Sequence, residues 1–369
     1  MGSEKTLCIA TGIFPPDKGG PAQFSSSFSS WLSQKGVRSR VLSLTDGDSL
    51  IFDKGLSQIE LISRKKKTLV RMLTTAYRIF RLARTHKFLV NGLFLEFFIA
   101  SLFRQIDYVA KVPGDIVWER ARNLGITRLE IDDFQSNLPR RFWLMRWTFS
   151  KSLARAKFVI APSSHLRKII SDWGISESKI VVIPNSVDTE LFQPQSGVKK
   201  IYDLVTVCRL VPWKGVREII ELSASRGLSL LVVGSGPQES ELKAVARNLE
   251  AKVNFVGDIE QRELPNYLAE AKFFVLNSSY EGSPHSLIEA MSSGMPVVAR
   301  ENTGTSELVS SGKNGLLVGS GKTLNDAFSL LLGNELDPSS LGAAAREEIA
   351  RNYSRAAIFS KIEGLTSSI

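Results

Sequence analysis

The sequence predicts an α/β protein made of two doubly wound domains. Short apolar runs rich in β-branched residues alternate with helix-length segments along the whole chain, which is typical of parallel sheets covered by helices. A length of 369 residues favours two domains, and a turn-rich, polar segment at 184–200 separates two strand patterns. We expect domains at 1–190 and 191–345, and a C-terminal helix at 346–369 that packs back toward the N-terminal domain.

The apolar runs also give the predicted strands. These are 6–10, 37–44, 87–90, 108–112, 158–161 and 180–183 in the first half, and 202–207, 229–233, 253–256, 273–276 and 296–299 in the second. In open α/β sheets, ligands bind beyond the carboxyl ends of the strands. Candidate functional residues are therefore sought in the loops that follow these strands.

Cysteine content and hydropathy indicate a cytoplasmic protein. The two cysteines, Cys8 and Cys208, lie in strand-like runs and form no disulfide framework, which suits a reducing compartment. The first residues lack the apolar core of a signal peptide. The longest apolar stretch, 93–103, is interrupted by Glu96 and is too short to span a bilayer.

The positive charge is concentrated in the first half of the chain. Residues 1–190 contain 29 Lys and Arg against 17 Asp and Glu, within a total net charge of +10. In the helical segment 66–86, Arg71, Arg78 and Arg81 fall on one side, which favours contact with an anionic membrane. The other side, expected to face the core, contains Met72, Leu73, Ala76, Ile79, Phe80 and Ala83.

The basic side of this segment also fits roles away from a membrane. It can simply keep the protein soluble or attract an anionic soluble acceptor. The segment 140–147 also mixes cations with aromatic residues, either as an interfacial segment or as part of the core. Nucleic-acid binding is disfavoured because no nucleic-acid motif accompanies the charge.

Two cations follow the strand predicted at 202–207. Arg209 and Lys214 share one strand-to-helix loop, beside the amino end of a helix dipole. Such a loop is suited to bind a diphosphate. The alternative is a pair of solvated surface cations.

The loop after 273–276 contains two carboxylates. Ser283 is expected to cap a helix that starts at Pro284, which leaves the amides of Ser286 and Leu287 available to an anion. Glu281 precedes this cap, and Glu289 lies inside the helix, where its oxygens can accept both hydroxyls of a ribose. A solvent-facing Glu289 is the alternative.

The spacings of Arg209 with Lys214 and of Glu281 with Glu289 resemble the donor site of family-4 retaining glycosyltransferases, also described as glycosyl transferases group 1. Further similar segments are 19–22, 161–164, 183–188, 233–237 and 256–257. The resemblance implies the GT-B fold, in which two Rossmann-like domains face each other across a cleft. It also implies retaining, metal-independent transfer of a sugar from a UDP-sugar or GDP-sugar to a glycan or lipid-linked acceptor, without a cofactor, in polysaccharide or glycolipid biosynthesis.

The resemblance also implies roles for individual residues. Arg209 and Lys214 would bind the donor diphosphate and stabilise its leaving charge, as preorganised cations do. Glu289 would bind the ribose and Glu281 the transferred sugar. Further donor contacts are expected from Gly19 and Gly20 of the N-terminal half, from Gly234 and Val256, and from Ser286 and Leu287.

One position departs from the common family pattern. Many relatives have a histidine at the end of the fourth N-terminal strand, where this sequence offers Asp115. Asp115 is expected to bind the acceptor sugar or act as a base, and a helix N-cap is the alternative.

Other enzyme classes also fit parts of the pattern. A nucleotide-sugar epimerase or a sugar-phosphate synthase would use the same phosphate-binding loops. An NAD-dependent reductase is a weaker alternative, because Gly234-Ser235-Gly236 lacks the third glycine of the dinucleotide fingerprint.

Overall fold

The computed structural model describes residues 5–17, 19–319, 321–333 and 335–369. The chain divides into two compact units: unit 1 comprises 1–183 and 359–369, and unit 2 comprises 184–358. The expectation that the chain lacks a signal peptide concerns its first residues, of which 1–4 lie outside the described set. No helix within the described ranges is long and apolar enough to cross a membrane.

Unit 1 contains an eight-stranded sheet in the order β3-β4-β2-β1-β5-β6-β7-β8. All neighbouring strands are parallel except β3 and β4, which pair antiparallel at one edge. The strands are β1 (Thr6–Thr11), β2 (Ser39–Thr45), β3 (Leu50–Lys54), β4 (Ser57–Ser63), β5 (His86–Asn91), β6 (Tyr108–Lys111), β7 (Phe158–Ala161) and β8 (Ile180–Val182).

Helices connect these strands. They are α1 (Gly20–Gln34), α2 (Thr68–Leu82), α3 (Phe94–Ser101), α4 (Ile116–Asn123), α5 (Ile131–Ser136), α6 (Trp143–Arg155) and α7 (Ser164–Asp172).

Unit 2 contains a parallel six-stranded sheet in the order β11-β10-β9-β12-β13-β14. The strands are β9 (Tyr202–Val207), β10 (Leu230–Val233), β11 (Val253–Gly257), β12 (Ala271–Leu276), β13 (Val297–Arg300) and β14 (Leu316–Val318). The helices are α8 (Val216–Arg226), α9 (Glu239–Asn248), α10 (Leu264–Ala269), α11 (His285–Ser292), α12 (Thr303–Ser306), α13 (Leu324–Leu332), α14 (Pro338–Asn352) and α15 (Arg355–Ser367).

Apolar cores cover both faces of the unit 2 sheet. Successive residues of β9 point to opposite faces, so Leu204 joins one buried cluster and Val205 the other. Strands buried on both faces read as continuous apolar runs, as in parallel sheets between helices. The prediction of two α/β domains with doubly wound parallel sheets is therefore confirmed.

Helix α15 begins in unit 2, and its residues from Phe359 onward belong to unit 1. Within unit 1, the Phe359 ring packs against three aromatic rings of α1, with centroid separations of 5.9 Å to Phe24, 5.2 Å to Phe28 and 5.7 Å to Trp31. The end of the chain thereby completes the aromatic core beneath α1.

The β3–β4 hairpin at the edge of unit 1 is absent from the predicted strands. All five residues of β3 are exposed, so this strand shows no alternation of apolar and polar residues. The turn depends on Gly55, which has a φ of 60°. An exposed edge strand and a short turn give weak sequence signals, and the apolar pattern therefore does not predict this hairpin.

Helix α2 presents the predicted basic side to solvent only in part. Arg78 donates to Glu60 of β4 at 2.7 Å, and this buried carboxylate raises the pKa of Arg78. The Nε atom of Arg71 is buried, and the Arg81 guanidinium lies 5.9 Å from the Tyr77 ring centre. Leu73, expected in the core, is 50% exposed. Arg81 is exposed and the Arg78 side chain is 37% exposed, so the arginine side of α2 is partly open to solvent, and its contact with a membrane stays a prediction.

Asp115 is a buried helix cap. Its Oδ1 accepts hydrogen bonds from the amides of Val117 at 2.9 Å and Trp118 at 3.1 Å, at the start of α4. Its Oδ2 accepts a bond from Gln135 at 2.9 Å and lies 3.5 Å from Arg146. Because the carboxylate is fully buried and both oxygens are engaged, the geometry agrees with the capping alternative and not with contact to a sugar hydroxyl.

The Asp115 contacts predict a large effect on stability. We expect Asp115→Ala to lower the free energy of unfolding by about 3–5 kcal/mol, because it leaves the mostly buried Arg146 without its carboxylate. The matched control is Asp337→Ala, which removes an exposed cap of α14 and should lower the free energy of unfolding clearly less. Urea denaturation followed by tryptophan fluorescence measures both, and equal losses in the two variants would contradict the role of the ion pair.

Candidate functional site

The loops after β9 and β12 are tied together at the carboxyl edge of the unit 2 sheet. These strands are neighbours in the sheet, and the Ser279 amide donates to the Trp213 carbonyl at 2.8 Å. The side-chain amide of Asn277 donates to the Gly215 carbonyl at 3.0 Å. Gly215 has a φ of 60°, and a Cβ atom there would lie 2.5 Å from the Asn277 side chain. Glycine is therefore required where the two loops meet.

This connection places Lys214 against Glu281. The ammonium of Lys214 forms an ion pair and hydrogen bond with Oε1 of Glu281. Both side chains are largely buried, whereas Arg209, two residues beyond β9, is exposed. The structure thus brings together one predicted cation and one predicted carboxylate, and leaves the second cation facing solvent.

Helix α11 begins one residue later than predicted. Its N-cap is Pro284, and the Ser283 hydroxyl accepts a hydrogen bond from the Asn185 amide at 3.1 Å instead of capping the helix. The predicted Ser283 cap is therefore wrong. Ser286 and Leu287 still lie in the first turn, and within the described ranges their amides have no hydrogen-bond acceptor. Amides in this position can bind an anion.

Glu289 lies in α11 and is buried, so the solvent-facing alternative is excluded. Its Oε1 accepts a hydrogen bond from Nε2 of Gln261 at 2.8 Å. Burial raises the pKa of Glu289 to about 8, although the Gln261 bond and the charge of Arg355 both lower it. The free protein therefore holds this carboxyl largely protonated near neutral pH.

Gly234 and Val256 lie where β10 and β11 end. A Cβ atom at Gly234 would lie 2.1 Å from the Cys208 carbonyl, so glycine is needed for the close approach to the β9 loop. The β10–β11 register shifts so that Val233 pairs with Gly257, which makes Val256 the extra residue of a bulge.

Gly19 and Gly20 lie in unit 1. Gly19 precedes α1 with a φ of 139°, and Gly20 is the first residue of that helix. Of the predicted site residues, these two glycines and Asp115 belong to unit 1, and all others belong to unit 2.

Three residues of unit 2 join the site although the sequence did not single them out. Asn277 ties the two loops, Gln261 holds Glu289, and Gly304 of α12 lies directly against the Glu281 backbone, where a Cβ atom would be 2.1 Å from the carbonyl oxygen. Asn277 and Gly304 follow strands, which is the signal that sequence could have offered. Gln261 also follows a strand, β11, but sequence does not show that it bonds Glu289, which lies 28 residues away.

Among the described residues, no three His, Cys, Asp or Glu side chains form a group arranged to hold a metal ion.

Two protein-family models match this chain, and one of them covers most of unit 2. The model described as "Glycosyl transferases group 1" matches residues 188–348, and the model described as "Glycosyltransferase Family 4" matches residues 127–191.

A curated relative is similar along nearly the whole chain. The GDP-mannose-dependent monoacylated alpha-(1-6)-phosphatidylinositol monomannoside mannosyltransferase of Corynebacterium glutamicum is 24% identical, over 95% of each chain.

Solved structures share the fold. The sucrose-phosphate synthase of Thermosynechococcus elongatus matches with a TM-score of 0.80 and 19% identity, over 99% of each chain. HepE of Anabaena in complex with UDP-glucose matches with a TM-score of 0.78 and 19% identity, over 99% of this chain and all of the other. These structures show that the chain has the GT-B fold. The two family models, which together match residues 127–348, and the relatives named as glycosyltransferases show that the chain belongs to the glycosyltransferases of group 1.

Proposed function

We propose that this glycosyltransferase transfers a sugar from a UDP-sugar or GDP-sugar to a glycan or lipid-linked acceptor, with retention of configuration and without a metal ion. The observation that carries the proposal is the Lys214–Glu281 pair, with the exposed Arg209 in the same loop as Lys214, at the carboxyl edge of the unit 2 sheet. This arrangement supplies a cation and a carboxylate to one small region, as transfer from a sugar diphosphate requires.

In the proposed mechanism, the Lys214 ammonium leaves Glu281 and pairs with the donor diphosphate. The Lys214 ammonium and the Arg209 guanidinium bind the phosphates and stabilise the negative charge that grows as the diphosphate leaves. The free amides of Ser286 and Leu287, at the start of α11, provide further donors to the anion. Because these groups are cationic or dipolar, they can fill the role that a metal ion has in other transferases.

Glu281 is proposed to face the transferred sugar. Once Lys214 moves to the phosphates, the Glu281 carboxylate can stabilise positive charge at the anomeric carbon. It can do so as a hydrogen-bond acceptor or as a nucleophile. Glu289 is proposed to accept the ribose hydroxyls, with Gln261 holding one of its oxygens in position.

Names among the similar proteins support this substrate class. The Corynebacterium relative is named for GDP-mannose and a phosphatidylinositol mannoside, and the HepE structure contains UDP-glucose. A sugar-phosphate synthase acting through the same loops is the second candidate, supported by the fold of the Thermosynechococcus enzyme. The two are distinguished by supplying a sugar phosphate as acceptor.

The acceptor and location are proposed together. A lipid-linked acceptor would place the enzyme at the inner face of a membrane, in the cytoplasm. The excess of Lys and Arg in residues 1–190 favours such a surface, since anionic lipids attract basic proteins.

Removing a phosphate-binding cation should reduce turnover. We expect Lys214→Ala and Arg209→Ala each to lower kcat by about 100-fold or more with a nucleotide sugar, the order observed when one preorganised stabiliser is lost. The matched control is Lys243→Ala, which removes an i,i+4 ion pair with Glu239 on α9 and should leave kcat unchanged. Transfer by the Lys214→Ala protein at the parental rate would contradict the assigned role.

Retention is tested on the product. We expect the new glycosidic bond to keep the anomeric configuration of the donor sugar. Either Glu281 displaces the diphosphate and the acceptor hydroxyl then displaces Glu281, or the acceptor attacks on the face from which the diphosphate leaves. Proton NMR of the linkage measures the configuration. An inverted product would remove Glu281 from its proposed place.

Donor affinity should depend on pH through Glu289. Its carboxyl is protonated in the free protein below a pKa of about 8, and the ionised form is the one that accepts two hydroxyl hydrogen bonds. Binding should therefore release a proton. The affinity for a nucleotide sugar should rise between about pH 6 and pH 8, at most about tenfold per unit, and then level off.

Calorimetry in buffers of different ionisation enthalpy counts the released proton. Glu289→Gln keeps the size of the side chain and removes the titration, so its affinity should be weaker and independent of pH in this range. An affinity of the parental protein that stays flat or falls from pH 6 to pH 8 would contradict the role of Glu289.

A further inference from the structure

Helices α2, α3 and α6 form one layer on one face of the unit 1 sheet. They lie in the connections β4 to β5, β5 to β6 and β6 to β7, which all move in the same direction across the strand order. Right-handed crossovers of the same direction place their helices on the same face. The Phe98 ring of α3 and the Trp147 ring of α6 meet at a centroid distance of 5.6 Å.

The outer side of α2 is apolar. Leu69 is 63% exposed, and Val70, Leu73 and Tyr77 are each at least half exposed. Three of these four residues lie in the first two turns, which follow β4 and therefore start at the carboxyl edge of the sheet. Since the opposite side of α2 already packs on the core, these exposed side chains have no role in holding the helix in place.

The first turns of α6 are also apolar and exposed. Trp143 is 59% exposed and Leu144 61%, and the Trp143 and Trp147 rings stack at 6.3 Å. Helix α6 ends just before β7 begins, so its first turn lies toward the carboxyl edge of the sheet. We call Leu69, Val70, Leu73, Tyr77, Trp143, Leu144 and Trp147 the apolar helix surface.

Exposed cations flank the apolar helix surface. Helices α2, α3 and α6 carry no exposed carboxylate. Helices α2 and α6 contain no Asp or Glu, and Glu96, the one acidic residue of α3, is buried. The exposed cations Lys66 and Lys67 precede α2, and Arg140 and Arg141 precede α6. In the loop after β2, Asp46 and Asp48 are paired with Arg64 and Lys65 respectively.

From this arrangement we propose that the apolar helix surface inserts into the interface of an anionic lipid bilayer. Tryptophan, tyrosine and leucine side chains enter the boundary between headgroups and acyl chains, while the flanking lysines and arginines contact anionic headgroups. Attachment then depends on buried apolar area as well as on charge. The predicted arginines of α2 contribute less, since Arg78 is paired with Glu60.

A second copy of the chain is a poorer occupant. A symmetric dimer across this surface would bring two sets of flanking cations together without carboxylates on the facing helices. A bilayer with anionic lipids supplies the complementary charge at the same place. The inference deepens the proposed lipid-linked acceptor, and the surface borders the edge of the sheet where ligands bind in such folds.

Vesicle flotation tests the proposal on the full chain, without donor or acceptor, so its result is independent of sugar transfer. The probes are phosphatidylcholine vesicles with and without phosphatidylglycerol. The test variant is Leu69→Ser/Leu73→Ser/Trp143→Ser, and the matched control is Ile201→Ser/Leu249→Ser/Leu332→Ser, three exposed apolar residues of unit 2. Circular dichroism and gel filtration confirm the fold and oligomeric state of each variant.

We expect the parental protein to bind vesicles containing phosphatidylglycerol and to retain part of this binding at about 1 M salt, where the electrostatic contribution is screened. The test variant should bind at least about tenfold more weakly, because it removes three inserting apolar groups. The control variant should bind like the parent. Brominated lipids should quench the tryptophan fluorescence of the parent. They should quench the fluorescence of a Trp143→Phe/Trp147→Phe variant less.

The proposal would be overturned by no binding of the parent at low salt, by equal binding of the parent and the test variant, or by a parental dimer that the test variant dissociates. Binding that salt abolishes completely would also overturn it, since attachment would then be electrostatic alone. Loss of sugar transfer with normal vesicle binding would count against the proposed function and leave this inference standing.

Discussion

The hydrogen bond from the Asn277 side chain to the Gly215 carbonyl determines the arrangement of the unit 2 site. It joins the loops of two neighbouring parallel strands and requires Gly215 in a left-handed conformation with no room for a Cβ atom. Lys214, the residue before this glycine, is thereby directed toward Glu281 on the other loop. The Asn277–Gly215 contact thus positions Lys214 and Glu281 close together, although it has no proposed part in sugar transfer itself.

Burial governs the charges of the same region. Lys214 and Glu281 neutralise each other in the largely buried interior, which avoids the cost of an unpaired buried charge. Glu289 avoids this cost differently, by holding a proton, as its raised pKa indicates. Binding an anionic donor would change both arrangements, because the cation gains a phosphate partner and the carboxyl gains hydroxyl donors. On donor binding, Lys214 would therefore exchange Glu281 for a phosphate, and Glu289 would exchange its proton for hydroxyl donors.

Prediction from sequence succeeds where the physical signal is local. The buried parallel strands are continuous apolar runs, so β9 is predicted with its bounds and the loop carrying Arg209 and Lys214 is located. Prediction fails where tertiary contacts decide. The Ser283 hydroxyl bonds Asn185 instead of capping α11, and Gln261 reaches Glu289 from another loop. A helical wheel places Arg78 on the basic side of α2, but it cannot show that Glu60 of β4 pairs with this side chain.

The packing of Phe359 under α1 has a consequence for biosynthesis on the ribosome. Phe24, Phe28 and Trp31 emerge early, yet the ring that completes their core belongs to α15, which follows almost all of unit 2 in the sequence. Domains generally fold as units during synthesis, the N-terminal one first, but here unit 1 is discontinuous in sequence and unit 2 is inserted within it. The nascent first unit must persist with an aromatic cluster uncovered while the whole second unit is translated, a period in which chaperones can recognise it.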